Sequence, residues 1–317
     1  MNKIHLHNAS AYGGGGWSPR ATPMRDEIGT VWGRFGQWNE WAPLRSVMVH
    51  RPGPELTTAQ DPDAVQMLDK LDVEKARNQH DRLVDTFTRA GVKVYEVAPS
   101  APASPNQMFV ADLFLMTPEG AILARPASTV RAGEERWVAR RLADLGIPIL
   151  KSVRGEGTFE GADAAWISPS TVLLGRGLRT NTEGASQVAG LLNEMDVRVI
   201  QVDLPFGTMH LMGMLRFADQ DLALVWPERL AYAAVETIRN SGFTVQFIPD
   251  ANEATHGFAL NFVTIAPGKI IMPAGNPITQ SFYESIGITC LTVEISELIK
   301  AAGAVGCLTG IIEREPI

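Results

Sequence analysis

The chain has 317 residues, 45% apolar and 20% charged, with a formal net charge of −7 and a mean hydropathy near zero. This is the balance of a globular chain with a large core, and its acidic surplus excludes nucleic acid and an anionic membrane as main partners. No apolar run approaches the roughly 20 residues of a membrane span. Met1 to Gly16 lacks a basic segment followed by an apolar one, so no secretory leader is expected. Two cysteines, Cys290 and Cys307, are too few for a disulfide framework, and the cytoplasm is the expected compartment.

Residues 1–40 are rich in Gly and Trp, with a Gly13–Gly16 run. They read as an irregular N-terminal arm whose tryptophans (Trp17, Trp32, Trp38, Trp41) pack on the body. The remainder, 41–317, reads as a single domain. Its first strand is Ser46–His50, ended by Arg51-Pro52-Gly53-Pro54, and a helix is expected over roughly Asp63–Ala90. A glycine stop and an alternating strand follow at Gly91–Val97. The same helix, stop and strand recur at Gly146–Leu150, Asp196–Ile200, Gly242–Phe247 and Gly287–Leu291, a spacing in the range of repeat architectures.

A second series runs in step with the first. Leu113–Met116 and Ala121–Leu123 flank a tight turn, as do Ala165–Ile167 and Val172–Leu174, Leu215–Phe217 and Leu222–Val225, and Phe262–Ile265 and Ile270–Met272. Helices are expected between the two series, at Gly133–Leu145, Thr182–Met195, Pro227–Ser241 and Thr279–Ile286. The unit is therefore hairpin, helix, strand, repeated about five times. A unit this small cannot bury its apolar face alone, and radial placement gives an α/β fold: a five-bladed α/β propeller around a pseudo-fivefold axis. An open doubly wound sheet is the alternative, disfavoured by the hairpin in every unit.

In such a propeller the segments leading into the hairpins converge on the axis. They carry Asn106, Phe109 and Asp112, then Glu160 and Asp163, then His210 and Met212, then His256 to Asn261, and last Gly303 to Cys307. Each has a bland reading: an Asp before a strand caps a turn, a His among apolar residues is a satisfied core side chain, a free Cys is a small buried hydrophobe. Their recurrence at corresponding places favours a thiolate nucleophile at Cys307 served by a base and carboxylates.

These residues resemble the guanidine-modifying superfamily of the pentein fold: arginine deiminases, dimethylarginine dimethylaminohydrolases and amidinotransferases. Asn106…Phe109…Asp112 is similar to its first acidic motif and Phe159-Glu160-Gly161-Ala162-Asp163 to its E-G-G-D motif. Arg179-Thr180-Asn181 is similar to its R-T segment, His210-Leu211 to the start of H-L-D or H-L-K, and Gly303…Cys307-Leu308-Thr309 to its terminal cysteine motif. The resemblance covers the chain from about Trp41 onward and implies a small guanidino or amidine substrate. Carboxylates suit a planar cation by bidentate pairing, which nominates Asp112 and Glu160, with Asp163 in support. Cys307 would form a covalent thioether intermediate, and His210 would protonate the departing amine and then deprotonate water. Arg179 is a candidate for a substrate carboxylate or a structural arginine. No cofactor and no metal are expected, because the histidines lack a metal-ligand spacing.

Two positions depart from the family pattern. Met212 stands where deiminases and amidinotransferases carry Asp, and Ala111 where deiminases tend to carry Arg. A Met favours a substituted or unusual guanidine over free arginine. The expected activity is hydrolysis of a guanidino or amidine C–N bond, with amidino transfer to an amine as the alternative. A non-catalytic propeller is disfavoured by the intact Cys/His/carboxylate set. A homo-oligomer is left open.

Overall fold

The structure, a computed structural model, describes residue 13 and residues 16–57 and 61–316. Gly14 and Gly15 of the Gly13–Gly16 run and the first twelve residues of the arm lie outside the described residues.

From residue 44 the chain repeats one arrangement. It begins with β1 (Leu44–Val49), α1 (Val73–Arg89) and β2 (Lys93–Glu96), then β3 (Phe114–Thr117), β4 (Gly120–Leu123), α2 (Glu135–Asp144) and β5 (Ile149–Ser152). Next come β6 (Ala164–Ser168), β7 (Thr171–Arg176), α3 (Thr182–Glu194) and β8 (Arg198–Asp203), then β9 (Leu215–Asp219), β10 (Leu222–Val225), α4 (Tyr232–Asn240) and β11 (Thr244–Phe247). After the short α5 (Ala251–His256) follow β12 (Val263–Ala266), β13 (Lys269–Pro273), α6 (Pro277–Ser285), β14 (Thr289–Val293), α7 (Ser296–Ile299) and β15 (Gly310–Arg314).

The strands form five three-stranded sheets. In each, a central strand pairs antiparallel with one neighbour and parallel with the other: β4 with β3 and β5, β7 with β6 and β8, β10 with β9 and β11, β13 with β12 and β14. In the fifth sheet β1 is central, parallel to β2 and antiparallel to β15. In the first four of these a hairpin supplies the antiparallel pair, and in all five a helical crossover joins the parallel pair, as a parallel connection requires. The fifth lacks a hairpin and takes β15 from far along the chain. Burial follows this plan. Residues of β3, β4 and the centre of β7 are buried on both faces, whereas β2, β5 and β11 are half-exposed outer strands.

The helix expected over 63–90 is shorter. Only Asp63–Val65 forms a single 3-10 turn, and Gln66 then takes a left-handed backbone conformation with φ +63°. The helix proper starts at Val73, because the Asp72 carboxylate accepts from the backbone N–H groups of Glu74 and Lys75. The first strand runs Leu44–Val49, two residues earlier than expected.

Residues 24–41 lie against the sheets. Gly36 N–H donates to Ile312 O, and Arg314 N–H donates back to Gly36 O, both at 2.9 Å. Trp41 is buried against Phe243, with ring centroids 5.4 Å apart. Trp17 differs from expectation: it is 63% exposed rather than packed on the body.

Candidate active site

The lead-ins to the hairpins are built alike. Val110–Asp112, Gly161–Asp163 and Leu211–Gly213 each form a single 3-10 turn directly before β3, β6 and β9, and the three turns touch. Close approach fixes their glycines. A Cβ at Gly161 would lie 2.2 Å from Phe114 O, and one at Gly303 would lie 2.3 Å from the Phe109 ring.

These turns gather the side chains singled out in the sequence. Glu160 is fully buried, and its Oε2 lies 2.6 Å from His210 Nε2. Its Oε1 accepts from Ala127 N–H at 3.1 Å and from Arg179 Nη1 at 3.4 Å. Asp163 accepts from Thr180 Oγ1 at 2.6 Å and from Leu211 N–H at 3.0 Å, which ties the Glu160 turn to the His210 turn. Asp112 accepts from Arg131 Nη1 through Oδ2 at 2.6 Å. Its Oδ1 is buried, 3.9 Å from His210 Nε2, and accepts no hydrogen bond among the described residues.

Cys307 is half-buried. Its Sγ accepts from Asn261 Nδ2 at 3.0 Å, while Asn261 Oδ1 accepts from the backbone N–H groups of Gly306 and Cys307 at 2.7 and 3.2 Å. Asn261 thus clamps both the thiol and the loop that carries it. Ala111 N–H donates to Cys307 O at 3.2 Å and links this loop to the Asp112 turn.

A slot of about 20 Å³ lies among Asp112, Arg131, Arg179, His210 and Cys307, with Asn106 and Phe109 on its wall. Asn106 is buried and donates from Nδ2 to Val65 O at 2.8 Å. The Phe109 ring backs the Arg131 guanidinium, 5.9 Å from its centroid. Arg179 is buried rather than a surface arginine. Met212 stands away from the slot, with its sulfur against Gly306, and lines a larger adjoining cavity that Cys307 and His210 also border.

Four residues here are given no role in the sequence reading. Arg131 is 3% exposed and contacts Asp112, Glu134 and Glu160, with Nη1 3.6 Å from Glu160 Oε2. Glu134 is buried beside it and accepts from Ser104 Oγ. Asn261 stands two residues before β12 as Asp112 stands two before β3, so its place in the repeat was an available signal. Arg216, on β9, donates to Phe262 O and sits behind the cysteine loop. It is an ordinary strand residue in sequence.

Electrostatics follow from burial and neighbours. Burial works against a charge on His210, but Asp112, Glu160 and Asp163 outweigh it and raise its pKa to about 9. For Glu160 burial is likewise outweighed, by the His210 bond and by Arg131 and Arg179, and the carboxyl is held low. Burial dominates at Asp163 and lifts it to about 6. Burial and the Asp112 charge together push the Cys307 thiol up, against the pull of a backbone bond at Ala304, Asn261 and Arg216.

Asp112, Glu160 and His210 offer three ligand atoms within 4.8 Å of one another. A metal ion there would meet Arg131, whose Nη1 is already 2.6 Å from Asp112. The guanidiniums of Arg131 and Arg179 already neutralise Asp112 and Glu160, which disfavours a divalent ion among these carboxylates.

Backbone strain concentrates at the same place. Among the described residues four non-glycines have left-handed φ: Gln66, Asp196, Phe258 and Ala302. Three of them line the slot or the adjoining cavity, and such conformations persist where surrounding structure fixes them.

The chain is similar to known proteins in sequence and in fold. Residues 101–242 match the family model described as arginine deiminase. A dimethylarginine dimethylaminohydrolase of Streptomyces coelicolor is 26% identical over 267 residues, covering 84% of this chain and 96% of that protein. The fold is similar to that of an amidinotransferase of saxitoxin biosynthesis from Microseira wollei, with a TM-score of 0.75 at 17% identity over 89% of this chain and 98% of that one. It is also similar to the N-terminal domain of a cyanobacterial arginine dihydrolase bound to its substrate, with a TM-score of 0.74 at 22% identity over 86% of this chain and 99% of that one. Among the described residues no helix is long and apolar enough to cross a membrane.

Proposed function

We propose that this member of the guanidine-modifying superfamily is a cysteine-dependent hydrolase that cleaves a C–N bond of a guanidino or amidine compound through a covalent thioether on Cys307. The observation that carries the reading is the free Oδ1 of Asp112. A buried carboxylate oxygen without a donor is costly, and this one borders the same slot as the only thiol near the cluster and a protonated histidine. A substrate N–H supplies the missing donor, and a cationic one offsets the charge.

The roles divide accordingly. Asp112 binds the guanidinium edge, and Arg131 holds Asp112 in place. Glu160 has its oxygens occupied by His210, Ala127 and Arg179, so we assign it to orienting the imidazolium rather than to gripping substrate. Asp163 fixes the His210 turn. Asn106 and Phe109 shape the slot, Arg179 flanks it, and Met212 leads toward the substituent.

In the free protein Cys307 is a thiol, because burial and the Asp112 charge disfavour the anion. A bound cation neutralises that charge, so the thiol releases its proton to solvent and the thiolate forms when substrate is present. Its sulfur attacks the central carbon and gives a tetrahedral adduct. His210 delivers its proton to one nitrogen, that C–N bond breaks, and an amidino thioether remains. Water then adds as His210 takes one of its protons, the C–S bond breaks, the remaining hydroxyl proton is lost, and a ureido product leaves.

The five sheets we read as blades of a closed α/β propeller, because each has the same strand order and the three lead-in turns meet at one place. We further read 41–317 as one catalytic domain, 1–40 as an arm, and the cytoplasm as its compartment, since Cys290 and Cys307 are both free. Amidino transfer remains the second reading, favoured by the fold likeness to an amidinotransferase.

The test is turnover of a panel of guanidino compounds, with and without an amine acceptor, alongside intact-protein mass. Expected are a ureido product independent of acceptor, an amidino adduct on Cys307, and neither with Cys307→Ala. Product formation that requires the acceptor would make the protein a transferase. Full activity of Cys307→Ala would end the covalent mechanism.

A further inference from the structure

The small slot does not account for the larger cavity beside it. That cavity holds about 290 Å³ and meets the slot at Met209, His210, Ala302 and Cys307. Its volume is near the lower bound of small-molecule sites. Met212, Met214, Trp226, Phe258 and Leu260 supply its walls, and among the described residues no carboxylate lines it. Arg229 is its one arginine, and that guanidinium is already engaged, donating to Gly207 O at 2.8 Å and lying 5.3 Å from the Trp226 ring centroid. The mouth is apolar too, with Leu68 68% and Met209 38% exposed.

We infer that this cavity takes an uncharged apolar N-substituent of the guanidine, an aryl-alkyl or alkyl chain, and that the substituted nitrogen is the one that leaves. The inference rests on the hydrolase reading above and names its substrate class. A chain ending in an ammonium group finds no carboxylate in these walls, so its charge goes unpaired on entry. The flexible methionines and the Trp226 ring instead follow an apolar chain of variable shape. Meanwhile Asp112 holds the unsubstituted edge of the guanidinium in the slot, which has no room for a chain.

His210 borders both spaces, so its imidazolium is the proton donor for the nitrogen at the boundary. Proton transfer there breaks the C–N bond to the substituent. An apolar primary amine departs with its two electrons and the His210 proton, and H2N–C(=NH2⁺)–S remains on Cys307. Water then releases urea and restores the thiol. A reaction that attaches an amidino group to an apolar amine would supply the substrate.

The experiment uses the full chain with phenethylguanidine, butylguanidine, 4-aminobutylguanidine and arginine, each below saturation. Amine and ureido products are identified by mass spectrometry, and Cys307 is checked for an adduct. Phenethylguanidine should exceed arginine in kcat/KM by at least about 10-fold, as a well-filled apolar pocket allows, with phenethylamine and urea as products. Met214→Glu should move the phenethyl to aminobutyl ratio at least about 10-fold toward the amine. Leu68→Glu, at an exposed position, should move it the same way should the Met214 variant fail to fold. Preference for arginine or 4-aminobutylguanidine, or release of ammonia with a substituted urea, would overturn this inference and leave the hydrolase standing. If no guanidine is turned over and Cys307 carries no adduct, the hydrolase reading itself falls.

Discussion

His210 shows how far a side chain's chemistry depends on its surroundings. An imidazole this deeply buried would ordinarily lose its proton, yet three carboxylates raise its pKa to about 9. Cys307 is pushed the other way, toward the neutral thiol. Two consequences are open to measurement. Alkylation of Cys307 by iodoacetamide in the free protein should be slow at pH 7 and accelerate as pH rises, and kcat should fall above about pH 9, where His210 loses the proton that the proposed mechanism has it donate. A kcat that stays level to pH 10.5 would remove His210 from that role. Because its folded pKa lies above the ordinary value near 6.5, the imidazolium stabilises the fold fully below about pH 6.5, and this contribution fades as pH rises toward 9. Of the residues involved, Cys307, His210, Glu160, Asp112 and Asp163 stand out in the sequence, because polar groups recur before apolar hairpins. Arg131 does not: it is one arginine in a turn, and its partners Asp112, Glu134 and Glu160 assemble around it only when separate segments meet.

At the scale of elements, α1 carries the clearest mismatch between pattern and structure. Apolar residues recur from Val65 onward, but Asp72 caps the helix and the preceding stretch turns at Gln66. Gln66 then lines the slot, so the break in the helix brings a loop to the site. The same helix buries His80, 1% exposed, with neither ring nitrogen hydrogen-bonded among the described residues. Burial, aided by His50 and Arg51 and opposed by Asp81, depresses its pKa to about 4. The unfolded chain therefore binds a proton there that the folded one refuses between about pH 6.5 and 4, and stability falls as pH drops through that window. His80→Leu should remove up to about 3 kcal/mol of this acid sensitivity. Urea midpoints at pH 4.5 and 7 for the two proteins check it, and equal slopes would mean that His80 stays protonated in the fold.

For the whole molecule, the sheet that joins the chain ends decides the architecture. β1 has no hairpin partner nearby and pairs instead with β15, so Ile312 is fully buried beside Met48 and Phe35. Ile312→Ala, five residues before Ile317, should cost about 2–5 kcal/mol, as at an interior core position, read as a shift of the urea midpoint. A loss below about 0.5 kcal/mol would mean that β15 adds little to the stability of that sheet. The order of elements, the hairpins and their lead-ins were legible in the sequence, since alternation and turn residues are local signals that each segment carries by itself. Five sheets of one pattern followed from repetition. What tertiary structure alone decided is which carboxylate oxygen stays free, that Asn261 clamps the thiol, that Arg131 fills the space beside Asp112, and that an apolar cavity adjoins the slot. Each of these depends on distances between residues far apart in the chain, and distances arise only when the sheets pack.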